Sequence, residues 1–294
     1  MVLALVFLQR SRAHSEGKVD YLSALALMGG VGFPLLYLSE GAQMGWESFQ
    51  EILFLIIGVI ALIAFLYLSI KGSSPLILLR FLRERNVLIA NTIAFLVGMA
   101  NLVAFYAFIY LAELPKPYGF SLNVLETARA LLPAVVAMFI GGILAGAGIS
   151  KVGPKPVIFA GSVLMTLGFI LFLVNRVTVL DLQIDAAISL GGMLPSFVSV
   201  INMISVALPG NFIAIGQSVN NTFKSVGNSV GPVVVTTIMA QYTVANTNLP
   251  SRTAFDCMFL LSIVTSLMII AITLFISNYR LAQPQENLEL SGSQ

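Results

Sequence analysis

The sequence predicts an all-α membrane protein with eight transmembrane helices. Three observations lead there. The 294 residues are 58% hydrophobic and only 10% charged, where soluble globular domains carry about 25% charged residues. The apolar residues fall into eight runs of membrane-spanning length. None of these runs shows the alternation that a membrane barrel strand needs.

Composition sets the solvent first. A soluble chain of this size cannot hide so much apolar surface, because surface falls slowly relative to volume. Lipid is the medium that removes the conflict. The formal net charge of +2 is too small to point to nucleic acid. The single Cys257 excludes an internal disulfide and a multi-cysteine metal site. The single His14 leaves no histidine cluster or catalytic dyad. No metal and no cofactor is expected.

A bilayer core about 30 Å thick needs roughly 20 apolar residues per helix. The runs are 21–38, 51–70, 87–112, 125–147, 157–174, 184–206, 212–241 and 256–278, taken as spans 1 to 8. Helix is required because every backbone polar group must be satisfied within lipid. Met1 to Leu8 is apolar but too short to cross, and its charges follow the apolar part rather than precede it. It reads as the last turns of a helix whose beginning is missing. The tail from 279 to 294 is polar and reads as disordered on the cytoplasmic side.

Orientation follows from Lys and Arg. With the stretch before span 1 in the cytoplasm, the inner segments hold Arg10, Arg12, Lys18, Lys71, Arg80, Arg83, Arg85, Lys151, Lys155, Lys224 and Arg280. The outer side holds only Lys116, Arg129, Arg176 and Arg252. The multi-pass chain therefore reads as lying in the cell membrane with that stretch inside.

The segment GGILAGAGISKVGPKP, residues 141–156, combines glycine and lysine as a phosphate cradle does. A Walker-type loop has G-x-x-x-x-G-K-[ST] between a strand and a helix. Here no Ser or Thr follows Lys151, and both flanks are membrane helices. Two readings stay open. Gly146 and Gly148 let helices approach closely while Lys151 and Lys155 mark the inner face, or the segment is a mobile functional loop.

The second reading has a family pattern behind it. GAGISKVGPK resembles the cytoplasmic loop signature of the major facilitator superfamily, with Gly146, Lys151, Gly153 and Lys155 on the pattern. Ser150 stands where an Asp is usual, and Pro154 where a basic residue is usual. DYLSALALMGGVGFPLLYLSEGAQMGWES resembles the central helix pair of the fourteen-span drug:proton antiporter branch, through Asp20, Gly45, Trp46 and Ser48. SPLILLRFLRERNVLIANTIAFL resembles the entry to that branch's second half, through Pro75, Leu79, Phe81, Arg85 and Asn86. YGFSLNVLETARALLP and GQSVNNTFKSVGNSVGP resemble its next outer loop and its Asn- and Gly-rich helix. Order and spacing agree along nearly the whole chain.

The resemblance implies a domain plan. Residues 1–20 are a helix stub and cytoplasmic loop, 21–86 the inter-half helix pair and linker, and 87–278 a six-helix transporter bundle. A first six-helix half is then missing. The resemblance also implies that spans 3, 4, 6 and 7 surround a central cavity.

Polar groups in lipid are costly, so their positions carry weight. Gln217, Asn220, Asn221, Lys224 and Asn228 share one face of span 7 at helical spacing. They form either helix–helix hydrogen bonds or a cavity lining. Asn91, Asn101 and Tyr106 in span 3 and Asn202 in span 6 are further cavity candidates. Gly227 and Gly231 are four apart and allow close packing, and Pro232 removes a backbone hydrogen bond. That segment is a packing kink or a hinge. Glu126 and Arg129 are placed to pair at the outer end of span 4.

All thirteen acids read as lying in loops or at span ends. Proton coupling would then reside in the missing half. The expected function is part of a secondary transporter that exports drugs or metabolites by proton antiport. Its expected partners are the bilayer, a small amphipathic substrate, the proton gradient and the missing half. A non-transporting regulatory or scaffold protein is the alternative. An enzyme is disfavoured, since no carboxylate pair or His–metal spacing lies in the spans.

Topology is directly testable. Single cysteines at Ser74 and Asn248, in a Cys257→Ser background, are expected to react with an impermeant maleimide from opposite sides of the membrane. Labelling from one side would contradict the span count.

Overall fold

A computed structural model describes residues 21–71, 84–244, 247 and 249–277. The helices are α1 (Tyr21–Met44), α2 (Phe49–Lys71), α3 (Arg85–Glu113), α4 (Val124–Val152), α5 (Pro154–Val174), α6 (Val179–Ala207), α7 (Ile213–Gln241) and α8 (Arg252–Leu274). A short 3₁₀ turn, Gly210–Phe212, leads into α7. The expectations placed on 1–20, on the linker at 72–83 and on the tail lie outside the described residues.

Among the described residues the fold is helical, with one isolated bridge between Thr243 and Pro250. Five helices, α3 to α6 and α8, are long and apolar enough to cross a membrane. The apolar stretches of α1 and α2 are shorter, Tyr21–Tyr37 and Phe49–Phe65. At 29 residues α7 has the length, but its polar stripe interrupts the apolar run.

Helix starts follow local chemistry. Asn123 Oδ1 accepts from the Glu126 N–H, and Glu126 Oε2 accepts from the Asn123 N–H, both at 2.9 Å. Thr178 and Asp181 repeat this reciprocal cap at α6. Such a box satisfies two N–H groups that a helix start otherwise leaves orphaned. It engages Glu126, so the expected Glu126–Arg129 pair does not form. The ion pair among the described residues joins Arg176 to Asp256.

The expected loop at 148–156 is almost entirely helical. Helix α4 continues to Val152 and α5 begins at Pro154. Gly153 alone makes the break, at φ +83°, a left-handed conformation in which a side chain is strained. Pro154 then suits the first helical position, where its missing N–H costs nothing. Lys155 Nζ donates to the Leu274 and Ile276 carbonyls at 3.1 and 2.9 Å. It thus satisfies the end of α8 instead of pointing freely to the cytoplasm. Close packing by Gly146 is also corrected, because a methyl group there would meet nothing within 4 Å. Gly141 makes the close approach, since a methyl group there would sit 2.5 Å from the Gly191 carbonyl of α6.

Both α4 and α5 pack along α6, and α3 packs along α7. Helix α8 joins α5 and α3, while the α1–α2 pair touches α7. Contact between α6 and α7 is slight. The core is built on the inward faces of α3, α5, α6 and α8, with Phe108, Phe169, Phe172, Phe255 and Phe259 its largest members. Phe172 and Phe259 stack with ring centroids 4.8 Å apart.

The α3–α7 seam is unusually close. A methyl group at Gly227 would strike the Phe95 carbonyl, and one at Gly98 the Lys224 carbonyl. At Gly231 it would sit 2.9 Å from Leu102 Cβ. In lipid, where hydrophobic drive between helices is absent, such contact supplies the association energy. Gly231→Leu is therefore expected to destabilise the bundle by about 1–3 kcal/mol, the usual cost of overpacking. Ser229→Leu, two residues round the helix, is expected to be tolerated. Detergent melting temperatures check this, and equal melting of the two variants would contradict it.

Candidate functional site: the polar face of α7

The stripe on α7 divides between two neighbours. Asn220 is buried and its Nδ2 donates to the Ala90 carbonyl at 3.2 Å and to Asn91 Oδ1 at 3.1 Å. Asn91 is also buried. These two asparagines join α3 to α7 and line no open space. Asn91 Nδ2 and Asn220 Oδ1 remain buried without partners, so the seam is only partly satisfied.

Two other members reach α6. Gln217 Nε2 donates to Ser205 Oγ at 3.0 Å. Lys224 reaches across to α6, its Nζ 3.5 Å from the centroid of the Phe197 ring. A cation over an aromatic face is attracted by the ring's quadrupole. The ammonium thus does not run out to the cytoplasmic interface, as a snorkelling lysine would. Asn221 is exposed, and Asn228 is half-buried with its Oδ1 turned to Gly98 of α3, where no donor reaches it. Slight backbone contact, together with these side-chain struts, makes α6–α7 a cleft floored by α3.

The remaining candidates spread out. Asn202 is half-buried on α6. Asn101 and Tyr106 are half-buried on α3, where Tyr106 meets Phe105 edge-on at 6.2 Å and Tyr110 tilted at 6.4 Å. At the α4–α5 turn Ser150 Oγ donates to the Ala147 carbonyl at 2.9 Å, and Lys151 is exposed. Gly227 and Gly231 are buried against α3, with the half-buried Pro232 next to them. Among the described residues no group of His, Cys, Asp or Glu is placed to hold a metal.

Of two buried carboxyls, Asp185 departs from the expected span-end position while Glu51 keeps it. Asp185 is only 1% exposed, with Oδ2 lacking any hydrogen-bond partner. The Thr178–Asp181 cap starts α6 at Val179, so Asp185 lies in the second turn and not at the helix end. Gly161 meets Ser196 and Gly168 meets Ser189; the same antiparallel register carries Asp185 to the level of Phe172 on α5. Glu51 is likewise fully buried in the first turn of α2, and neither carboxyl oxygen has a partner. The T-x-x-D capping pattern was the signal available for Asp185.

An apolar groove lies elsewhere. About 450 Å³ opens between α4 and α5 over Gly191 and Pro195 of α6. Its lining includes Leu144, Val157 and Leu164 and offers no polar side chain. The α6–α7 cleft is the polar alternative, and it is the candidate site.

No family model matches the chain. It is 25% identical, over 98% of its length, to the uncharacterised MFS-type transporter YcnB of Bacillus subtilis, of which it covers 61%. It is 24% identical over 81% of its length to the multidrug transporter protein MdtP of the same organism, covering 44% of that protein. It is 26% identical over 82% of its length to the lincomycin resistance protein LmrB, also of Bacillus subtilis, covering 51%. The chain spans about half the length of the curated relatives it matches. It is a multi-pass membrane protein whose curated homologues are MFS-type transporters, not enzymes.

Proposed function

We propose that this chain is part of a secondary active transporter that exports drugs or metabolites across the cell membrane. Export runs by proton antiport with alternating access, and a further six-helix half completes the pathway. The observation that carries this reading is the unequal seating of α7. It is fused to α3 through glycine contacts, yet it meets α6 mainly through the Gln217–Ser205 and Lys224–Phe197 struts. A polar helix face that meets its neighbour through a few side-chain struts can line and gate a midplane site. Pro232, beside Gly231, removes one backbone bond and supplies a point of bending.

Proton loading needs a carboxyl on the pathway. Among the described residues no carboxylate lies within ion-pair distance of Lys224. Asp185 faces the α5 side of α6, where Phe172 lies, and not the cleft. The coupling carboxyl is therefore assigned to the complementary half.

Reconstitution tests the reading. Liposomes that contain this chain alone are expected to show no dye export when a pH gradient is imposed. Co-expression with the first half of a relative such as MdtP is expected to give export that a protonophore abolishes. Pro232→Ala is expected to slow that export while leaving the melting temperature unchanged. Strong gradient-driven export by this chain alone would refute the need for a second half. Absence of export from every pairing would favour a regulatory or scaffold role.

A further inference from the structure

Among the described residues, the structure holds a lysine without a counter-ion between α6 and α7. Lys224 is the twelfth residue of the 29-residue α7, so it lies roughly 16 Å from the helix start at 1.5 Å per residue. It is half-buried. No side-chain or backbone acceptor is hydrogen-bonded to it among the described residues, and no carboxylate pairs with it. A half-buried cation without an anion carries a desolvation cost. The Phe197 ring offsets part of that cost but leaves the charge uncompensated.

The surroundings define what would compensate it. Phe197 offers an aromatic face beside the ammonium. Asn228, one turn further along, turns its buried Oδ1 to Gly98 in the α3 seam and so lies apart from the ammonium. A ligand that suits Lys224 and Phe197 together has an anionic group for the first and an apolar or aromatic body for the second. We infer that the α6–α7 cleft selects amphipathic organic anions, with Lys224 binding the anionic group and Phe197 packing against the apolar body. This rests on the export reading only in taking the cleft as the substrate path.

A matched ligand pair isolates the charge. Dansylglycine carries a carboxylate, a neighbouring sulfonamide N–H and an aromatic body, while dansylglycinamide differs by lacking the charge. The full chain, in nanodiscs of zwitterionic lipid, is expected to bind the acid at least tenfold more tightly than the amide, as read by dansyl fluorescence. Lys224→Met is expected to erase that ratio, and Lys224→Arg to keep most of it. Melting temperatures confirm that each variant is folded. Equal affinity for acid and amide in the unmodified chain, or an unchanged ratio in Lys224→Met, would overturn the inference. So would the absence of acid binding, which would mean that the charge awaits a carboxylate from another polypeptide. Anion preference without export in any reconstituted pairing would leave this assignment standing and remove the transport reading instead.

Discussion

The close approach of α3 and α7 is the contact on which the site depends. Gly98 on one helix and Gly227 and Gly231 on the other bring the two backbones together. Lipid gives apolar side chains no reason to leave it, so helices associate through shape and a few polar bonds. Once α7 is fixed to α3, the orientation of its polar stripe is set. Asn220 turns into the seam and Lys224 turns out of it towards Phe197. Substitution of any of these glycines would rotate or lift the stripe, and the cleft would change with it.

The second half of the fold is held differently. Helix α6 is the shared partner of α4 and α5, and small residues again set the distance. Gly168 meets Ser189, and Gly161 meets Ser196. The serine hydroxyls donate back to their own helix, Ser189 to Asp185 and Ser196 to Gly192, so they add no polar demand on α5. The α3–α7 pair and the α4–α5–α6 group are joined through α3, which packs on α6 and α8, while direct contact between α6 and α7 is slight.

Much of this was legible in the sequence, and the losses have physical causes. Helical character and rough positions followed from apolar run length, because a membrane penalises any other backbone state. The boundaries did not follow. Apolar run length misses the polar turns that caps and single glycines support, which is why 148–156 was read as a loop and Asp185 as terminal. The stripe on α7 was visible as a period, but its division between α3 and α6 was not. Adjacent positions such as Asn220 and Asn221 differ by about 100° around the helix, and only the partner helices decide which of them is dry. The role of Lys155 was also hidden, since it depends on the Leu274 and Ile276 carbonyls about 120 residues away.

That division is the central claim, and thiol accessibility tests it most directly. In a Cys257→Ser background, cysteines at Asn220 and Asn221 can be compared for their rate of reaction with a small, charged, water-soluble methanethiosulfonate. Position 221 is exposed and position 220 is sealed against α3. The account predicts reaction at 221 and at least tenfold slower reaction at 220. Comparable rates at the two positions would show that water enters the α3–α7 seam, and would contradict the account.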